Sequence, residues 1–506
     1  MLDKTLAWID RHLLWLLSAV LVLRAGFLFG NGLDLIGDES YYWDWSRQPD
    51  WCYYSKPPMV AWLIGAFTWL LGDYTAVVRL PTLLLGTVFL AYFHATAKAF
   101  YGPRAAAMAL LLILATPINV LANFLMTIDP PLYCFWVMAL FYLRKALFDH
   151  DAKAWLWAGC ASAAALLSKQ VAIALPVILL LFLLISSPHR KYLKREYWLY
   201  VLPMLLAAVP ILLWNQQHDW VMFGHSKSHF GDHEATSWLK HLQHALDFLL
   251  YQLLLLSPLI FLLLLFTSLQ GILGFNKLSS EQQFLWLMGP LMLLGVLLLS
   301  VLQKVQGNWP MPFYISALIL FAGTWAAGAW QKTVKFALAL GYLMVMMTYV
   351  LPLLLQILHL KDSEFDPTKR FKSWQELALN LHFERLIAQA SLDDTFVVAL
   401  GHRYLASQLA FYLPDHPKVY RFEESGQVIS QYEVWPGPRD FVGKNAFIVG
   451  EGRQAKVPEA LKNAFMRLTF FAEVVNPNKP DAPYSIYLAE NLLSWPATTK
   501  QDVIKD

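Results

Sequence analysis

The first residues that could perform chemistry are a pair of carboxylates, Asp38 and Glu39, in a segment rich in aromatic side chains. A carboxylate at a membrane surface can accept the proton of a reacting hydroxyl group. Paired acids are also common in the first turn of a helix, where negative charge complements the helix dipole. From spacing alone, a catalytic base facing a cavity at the level of the lipids and an ordinary helix start are equally open.

Other charged residues stand at the ends of apolar runs. Asp129 and Lys56 each precede two prolines, Lys169 joins two apolar runs, and Arg79 lies within one. A cation held at this level is a good contact for a phosphate. The alternatives are a helix start at Asp129 and lysines that extend their amines to the interface. We predict a second acid at Asp129 and cations for a phosphate at Lys56, Lys169 and Arg79.

Polar and aromatic side chains near these charges could line a substrate cavity. Tyr41, Tyr42 and Tyr54 belong to the first aromatic segment, and Asn308 and Trp309 stand just before an apolar run. The amide and the ring hydroxyls could hydrogen-bond a sugar or a lipid head group. Aromatic residues are also expected wherever a membrane helix meets water.

Histidines are frequent in the segment 215–245. His225, His229 and His233 are spaced by four residues, so a helix would place them on one face. A divalent metal could bind there, with His225 alternatively contacting the substrate. We prefer a solvated segment at the interface, and the sequence predicts no other cofactor.

Long apolar runs surround these residues. The chain has 506 residues, of which 57% are apolar and 15% charged, whereas a soluble protein has about 25% charged residues. A membrane-spanning helix needs about 20 mainly apolar residues. Eleven runs meet this need approximately, near 12–30, 74–98, 105–124, 130–147, 154–168, 170–187, 197–214, 246–270, 283–302, 311–330 and 335–357. We predict a mainly α, polytopic helical membrane bundle. The segment 31–73, between the first two runs, should contain helices that lie at the membrane interface.

The composition changes after residue 360. Residues 361–506 are richer in charge and contain no run long enough to span a membrane. Helix-like stretches at 374–390, 404–413 and 458–471 alternate with strand-like ones at 396–399, 447–449 and 484–487. We predict two domains: a membrane domain at 1–360 and a small soluble α/β domain at 361–506.

The basic residues of the loops predict the orientation of the chain in the membrane. Membrane proteins carry an excess of lysine and arginine in their cytoplasmic loops. If the N-terminus of this chain is cytoplasmic, the loops on that side hold most of the lysine and arginine residues of the short loops. The segments 31–73 and 215–245 and the C-terminal domain then lie outside.

Net charge and cysteine spacing argue against two other classes of protein. The net charge is +3, whereas a nucleic-acid-binding protein usually carries a much larger positive charge. Three cysteines have neither the spacing of a zinc site nor that of a disulfide framework.

Several short motifs occur in an order that resembles a known family. They are Asp38-Glu39-Ser40-Tyr41-Tyr42, Lys56-Pro57-Pro58, Arg79-Leu80-Pro81, Gly102-Pro103-Arg104 and Asp129-Pro130. This order is similar to the bacterial branch of the dolichyl-phosphate-mannose protein mannosyltransferase family. That branch consists of GT-C type membrane glycosyltransferases and includes lipid A aminoarabinose transferases and galacturonosyltransferases. Tyr404-Leu405-Ala406 is similar to the C-terminal part of some of its members.

The resemblance implies a donor sugar on a polyprenyl phosphate, undecaprenyl in a bacterium, and an acceptor that is lipid A or another envelope lipid or glycan. Transfer would occur at the periplasmic face of the inner membrane and would invert the anomeric centre. Asp38 would be the catalytic residue, with Glu39 and Asp129 in support. Lys56 and Lys169 would contact the donor phosphate.

Two alternatives stay open from the sequence. One is transfer of a sugar to serine or threonine of a protein, as in protein O-mannosyltransferases. The other, from a different class, is a transporter or flippase for an anionic lipid, which would also need charges at the membrane level. Transporters often have paired halves, and the sequence shows no such internal symmetry.

Overall fold

The computed structural model describes residues 2–231, 237–324, 331–360, 363, 366–368, 371–388, 395–475 and 483–496. Within these ranges the chain is mainly helical, and its one five-stranded sheet lies in the C-terminal region. The predicted fold class, a helical membrane bundle followed by a small α/β region, is confirmed.

The membrane part of the described chain contains helices α1 to α18. Their bounds are α1 Leu2–Arg11, α2 Leu13–Gly30, α3 Gly37–Ser46, α4 Met59–Leu71, α5 Thr75–Tyr101, α6 Pro103–Leu114, α7 Pro117–Leu121, α8 Asp129–Phe148, α9 Ala152–Ser168, α10 Ala174–Ile185, α11 Arg195–Gln217, α12 Val221–Gly231, α13 Trp238–Leu256, α14 Pro258–Gly274, α15 Ser280–Trp286, α16 Met292–Leu302, α17 Met311–Thr324 and α18 Gln331–Ile357. A π-helical turn at Leu287–Leu291 joins α15 to α16. It contains Pro290, which has no backbone N–H to donate.

Seven helical segments of the described residues are long and apolar enough to cross a membrane. They are Leu13–Gly30, Thr75–Tyr101, Asp129–Phe148, Arg195–Gln217, Pro258–Lys277, Ser280–Leu302 and Gln331–Ile357. Four shorter apolar helices accompany them, at Met59–Leu71, Pro103–Leu114, Gln170–Ile185 and Met311–Thr324. The chain is therefore a multi-pass membrane protein, and the number of eleven spans stays a prediction.

Two of the predicted apolar runs were wrong as single helices. The run 246–270 is divided between α13 and α14 at Ser257, whose φ of 78° is left-handed. Pro258 then begins the new helix, a position where its missing N–H costs nothing. The run 105–124 is likewise divided, because α6 ends at Leu114 and Pro117 begins the short helix α7. Hydropathy alone did not register these proline starts.

The C-terminal region alternates helices and strands. Its elements are α19 Trp374–Ile387, β1 Thr395–Leu400, α20 Arg403–Tyr412, β2 Val419–Phe422, α21 Gln431–Val434, β3 Asn445–Glu451, α22 Glu459–Lys462, β4 Phe465–Val474 and β5 Tyr484–Leu492. The strand order is β2-β1-β3-β5-β4. Strand β1 is parallel to β2 and β3, whereas β5 is antiparallel to β3 and β4.

One predicted helix of this region was wrong. Residues 458–471 form a single helical turn, α22, and then enter strand β4, which pairs along its length with β5. Strand β2 was not predicted either. β2 has only four residues and β4 mixes apolar with polar ones, so the partner strand decides their conformation more than their own sequence does.

The C-terminal region shares a hydrophobic core with the first part of the chain. Buried Trp43 of α3 and Ile64 of α4 belong to the same cluster as Leu405 of α20 and Phe447 of β3. Polar contacts follow the same interface: Tyr432 Oη donates to Asp44 Oδ2 at 2.7 Å. The two parts of the chain on either side of residue 360 therefore pack against each other, although their compositions differ. The division into two domains stays a prediction.

Candidate active site

Asp38 stands in the first turn of α3, where the C-terminal region meets the membrane bundle. Its side chain is 39% exposed. Tyr404 Oη donates to Asp38 Oδ1 at 3.0 Å, and Arg403 Nη2 lies 3.8 Å from the same oxygen. The ring of Tyr404 rests on Gly37, where an added Cβ would be 2.2 Å from the ring's Cγ. A glycine before the carboxylate therefore makes room for the tyrosine that holds it.

Glu39 has a different environment, although it is the next residue. It is fully buried, and its two oxygens accept hydrogen bonds from Arg79 at 2.9 and 2.7 Å. The backbone amides of Ile36 and Met126 also donate to it, at 3.1 and 3.0 Å. Glu39 thus ties α3 to α5 and to the segment before α8, which gives it a supporting role beside Asp38.

The assignment of Arg79 to a phosphate does not fit this geometry. Besides Glu39, Arg79 donates to the carbonyls of Leu33 at 2.9 Å and Asp34 at 2.7 Å, and it is only 1% exposed. A buried arginine needs such partners because an uncompensated buried charge is strongly destabilising. Its donors are spent within the protein, so its contribution is to position α3.

Asp129 is held by residues from two other parts of the bundle. Lys169 Nζ lies 2.8 Å from its Oδ1, and Asn308 Nδ2 donates to its Oδ2 at 2.6 Å. Lys169 follows the end of α9, and Asn308 precedes α17. Three predicted site residues from distant positions in the sequence are therefore in direct contact.

Lys56 lies in the loop between α3 and α4, where the carboxylates of Asp38 and Asp129 influence it. Its pKa is lowered to about 8, mainly by burial and next by the Lys169 ammonium, while the carboxylates of Asp129 and Asp38 oppose this change. Among the described residues its ammonium forms no ion pair. A partly buried cation with no bonded counter-charge is a favourable place for an anionic ligand.

Two of the predicted aromatic residues, Tyr42 and Tyr41, differ in their distance from the acids and in their partners. Tyr42 is 5% exposed, and its pKa is raised well above the usual value by burial and then by Asp38, with smaller effects that include Asp129. Tyr42 is therefore close to both acids. Tyr41 lies deeper, where its hydroxyl accepts a hydrogen bond from the amide of Gln431 at 2.5 Å. Tyr41 supports the site rather than lining it.

The remaining predicted cavity residues are more peripheral. The ring of Tyr54 lies 4.8 Å from that of His225, measured between centroids. Trp309 donates its indole N–H to Gln306 Oε1 at 3.3 Å. The first contact joins α12 to the loop that carries Lys56, whereas the second lies within the segment before α17.

The predicted metal site falls mostly outside the description. His233 and the side chain of His229 lie outside the described residues, and the ring of His225 is tilted by 49° against that of Tyr54. Within the described part of the chain, no group of three or more His, Cys, Asp or Glu side chains could hold a metal ion.

Sequence reasoning did not identify Arg403 as a site residue, nor the contact of Tyr404 with Asp38. Tyr404 and Asp38 are separated by 366 positions. Residues 404–406 belonged to the resemblance, which was the one signal that the start of α20 matters. No local pattern could reveal the contact, because it depends on how the C-terminal region packs on α3.

Comparisons with known proteins show which sequences and folds this chain resembles. Residues 55–214 match the family described as dolichyl-phosphate-mannose-protein mannosyltransferase. The chain is 26% identical over 450 residues to the lipid A galacturonosyltransferase RgtD of Rhizobium johnstonii, covering 87% of this chain and 91% of the relative.

Two solved structures share the fold. The crystal structure of ArnT from Cupriavidus metallidurans bound to undecaprenyl phosphate matches with a TM-score of 0.62 and 17% identity, over 94% of this chain and 97% of that one. The oligosaccharyltransferase AglB from Archaeoglobus fulgidus matches with a TM-score of 0.50 and 12% identity, over 88% and 70%. The chain is thus similar in sequence to the dolichyl-phosphate-mannose-protein mannosyltransferases over residues 55–214 and to RgtD over most of its length, and it shares the fold of ArnT.

Proposed function

We propose that this protein is a glycosyltransferase that moves a sugar from a polyprenyl-phosphate carrier to lipid A or another envelope lipid or glycan. A relative named as a lipid A galacturonosyltransferase and a shared fold with an ArnT bound to undecaprenyl phosphate support this proposal. The observation that carries it is an accessible carboxylate, Asp38, in electrostatic reach of the Lys56 ammonium, which forms no ion pair with any described residue. These are the two groups that a transfer from a phosphate carrier requires.

Asp38 acts as the general base in this mechanism. Its exposed carboxylate accepts the proton of the acceptor hydroxyl, whose oxygen attacks the anomeric carbon of the donor. The new C–O bond forms as the bond from the anomeric carbon to the phosphate oxygen breaks, through an oxocarbenium-like state. A single displacement inverts the anomeric centre.

Lys56 and Lys169 stabilise the leaving phosphate. The bond's electron pair departs with the polyprenyl phosphate, which gains negative charge and needs no proton. Cations already positioned at that charge lower the barrier without further reorganisation. Asp129 holds Lys169 at 2.8 Å and so keeps one of these cations in place.

An apolar cavity beside Asp129 is suited to the lipid part of the donor. It is lined by Phe89 of α5, Ile113 of α6, Pro130 and Tyr133 of α8, and Ile315 of α17, among others. Pro130 directly follows Asp129 in the chain. Its volume is about 40 Å³, so we propose that it marks only where the isoprenoid unit nearest the phosphate enters the bundle.

The proposed location is the bacterial inner membrane, with the site and the C-terminal region on the periplasmic side. The excess of basic residues in the opposite loops supports this orientation. Transfer to protein and lipid transport are not favoured by these comparisons.

The test uses the purified protein in detergent, with undecaprenyl-phosphate sugars as donors and lipid A as acceptor. Release of undecaprenyl phosphate is followed for the wild type, Asp38→Asn and Glu376→Gln, the last removing an exposed carboxylate on α19. We expect release with one donor, loss of release in Asp38→Asn, and normal release in Glu376→Gln. Full activity of a folded Asp38→Asn protein would refute the mechanism.

A further inference from the structure

Arg403 is a third cation near Asp38, and it comes from a different part of the chain than the proposed phosphate cations. It belongs to α20 of the C-terminal region, whereas Lys56 and Lys169 come from the membrane bundle. Of the four charges that influence the pKa of Lys56, that of Arg403 has the smallest effect. The site thus receives cations both from the membrane bundle and from the C-terminal region.

The guanidinium of Arg403 is held mainly by aromatic rings. Its central carbon lies 5.2 Å from the ring centroid of Tyr41 and 5.0 Å from that of Tyr404. Such cation–π contacts fix the plane of the group without using its hydrogen-bond donors. The side chain is 27% exposed, so this preorganised cation is open to solvent on one side.

Most of the donors of Arg403 are unused. Among the described residues, its guanidinium donates one long hydrogen bond, from Nη2 to Tyr404 Oη at 3.4 Å, and Nε has no partner. The nearest carboxylate oxygen, on Asp38, is 3.8 Å away, which is beyond hydrogen-bond distance. Asp38 receives its close hydrogen bond from Tyr404 instead. Neutralising Asp38 therefore does not account for the fork of donors that Arg403 presents.

We propose that Arg403 binds a second anionic group of the substrates, apart from the donor phosphate. A guanidinium fork fits a carboxylate or a phosphate bidentately. With the anomeric carbon beside Asp38 and the donor phosphate at Lys56, the group that reaches Arg403 belongs to the far side of the donor sugar or to the acceptor. The ligand is thus a sugar carboxylate or an acceptor phosphate. This inference rests on the proposed function.

The test measures binding by calorimetry, so it does not depend on turnover. The full-length protein in detergent is titrated with farnesyl-phosphate galactose and with farnesyl-phosphate galacturonic acid, which differ in the carboxylate. It is titrated separately with lipid A and with enzymatically dephosphorylated lipid A. The variants are Arg403→Gln, Arg403→Lys, which keeps the charge without the fork, and Lys56→Gln.

We expect the wild type to bind the anionic member of one pair about 10- to 100-fold more tightly, as for a charge-assisted hydrogen-bonded pair. The pair that discriminates identifies the source of the anion. In Arg403→Gln this ratio should fall to about one, and Arg403→Lys should keep part of it. Lys56→Gln should weaken both farnesyl-phosphate ligands while keeping any ratio between them.

Two outcomes would overturn the inference. One is a wild type that discriminates within neither pair. The other is an Arg403→Gln protein that binds both members of the discriminating pair more weakly by the same factor, as a merely structural arginine would. If no farnesyl-phosphate ligand binds at all, the proposed function fails as well, whereas binding without preference refutes the role of Arg403 alone.

Discussion

Replacing Lys56 by methionine should stabilise the empty protein while removing its donor site. Burial and neighbouring Lys169 lower the pKa of Lys56 from 10.5 to about 8. A shift of that size corresponds to about 3 kcal/mol against the charged form, taking 1.36 kcal/mol for each pKa unit. Methionine has a similar length and no charge, so the folded protein should regain part of this energy. The melting temperature, Tm, should rise by roughly a few degrees.

The same variant should fail to bind the donor. In the wild type, adding undecaprenyl phosphate should raise Tm, because a ligand that binds the folded state stabilises it. That increase should be absent or much smaller in Lys56→Met. Scanning fluorimetry with and without undecaprenyl phosphate measures both effects in one experiment.

The matched control is Lys169→Met, which removes the other cation proposed to contact the phosphate. Lys169 is bonded to Asp129 at 2.8 Å, so its loss leaves a largely buried carboxylate without its ion pair. This variant should lower Tm where Lys56→Met raises it. A Lys56→Met protein that is less stable than the wild type, with normal stabilisation by undecaprenyl phosphate, would refute the reasoning.

The charge state of Lys56 also predicts a pH dependence. Because the folded pKa is about 8, the ammonium is present below that pH and is lost above it. Donor KM should therefore rise as the pH increases through about 8, and Lys56→Arg should move the rise to higher pH, since arginine stays charged. A donor KM that is flat from pH 7 to 9.5 would contradict this role.

The remaining predictions concern the residues that hold Asp38. Glu39→Gln leaves the buried Arg79 without its ion pair and should destabilise the protein by about 3–5 kcal/mol, seen as a lower Tm; an unchanged Tm would argue against the pair. Tyr404→Phe removes the hydrogen bond to Asp38 and should reduce transfer by about three- to tenfold, with Tm nearly unchanged. Gly37→Ala should clash with the ring of Tyr404 and reduce transfer at least as much as Tyr404→Phe; wild-type transfer in a steady-state assay would show that this contact is dispensable.

The sequence by itself determined the class of the protein. The length of its apolar runs identified a helical membrane protein, because a bilayer requires about 20 apolar residues for each span whatever the tertiary contacts. The strands β1, β3 and β5 were likewise recognisable as short apolar segments bounded by polar ones. The charged residues at the ends of apolar runs indicated Asp38, Asp129, Lys56 and Lys169 as candidates, and the order of short motifs gave a family resemblance that implied a role for each.

Only the tertiary structure decided which charged residues are accessible to a ligand and which are buried in ion pairs. Asp38 and Glu39 are neighbours in the chain, yet α3 directs one to solvent and buries the other against Arg79. The intrinsic properties of the two carboxyl groups are nearly the same, so their different roles arise from burial and partners. For the same reason, sequence reasoning could not exclude Arg79 from the phosphate.

The contribution of the C-terminal region was also decided by packing. Arg403 and Tyr404 reach Asp38 because α20 packs on α3 through a shared apolar core. Contacts across several hundred residues depend on that docking, and neither hydropathy nor local spacing encodes it. The conformation of residues 458–471 has the same origin, since β4 exists as a strand by pairing with β5. The sequence determined which residues could act, and the packing of distant segments determined which of them meet.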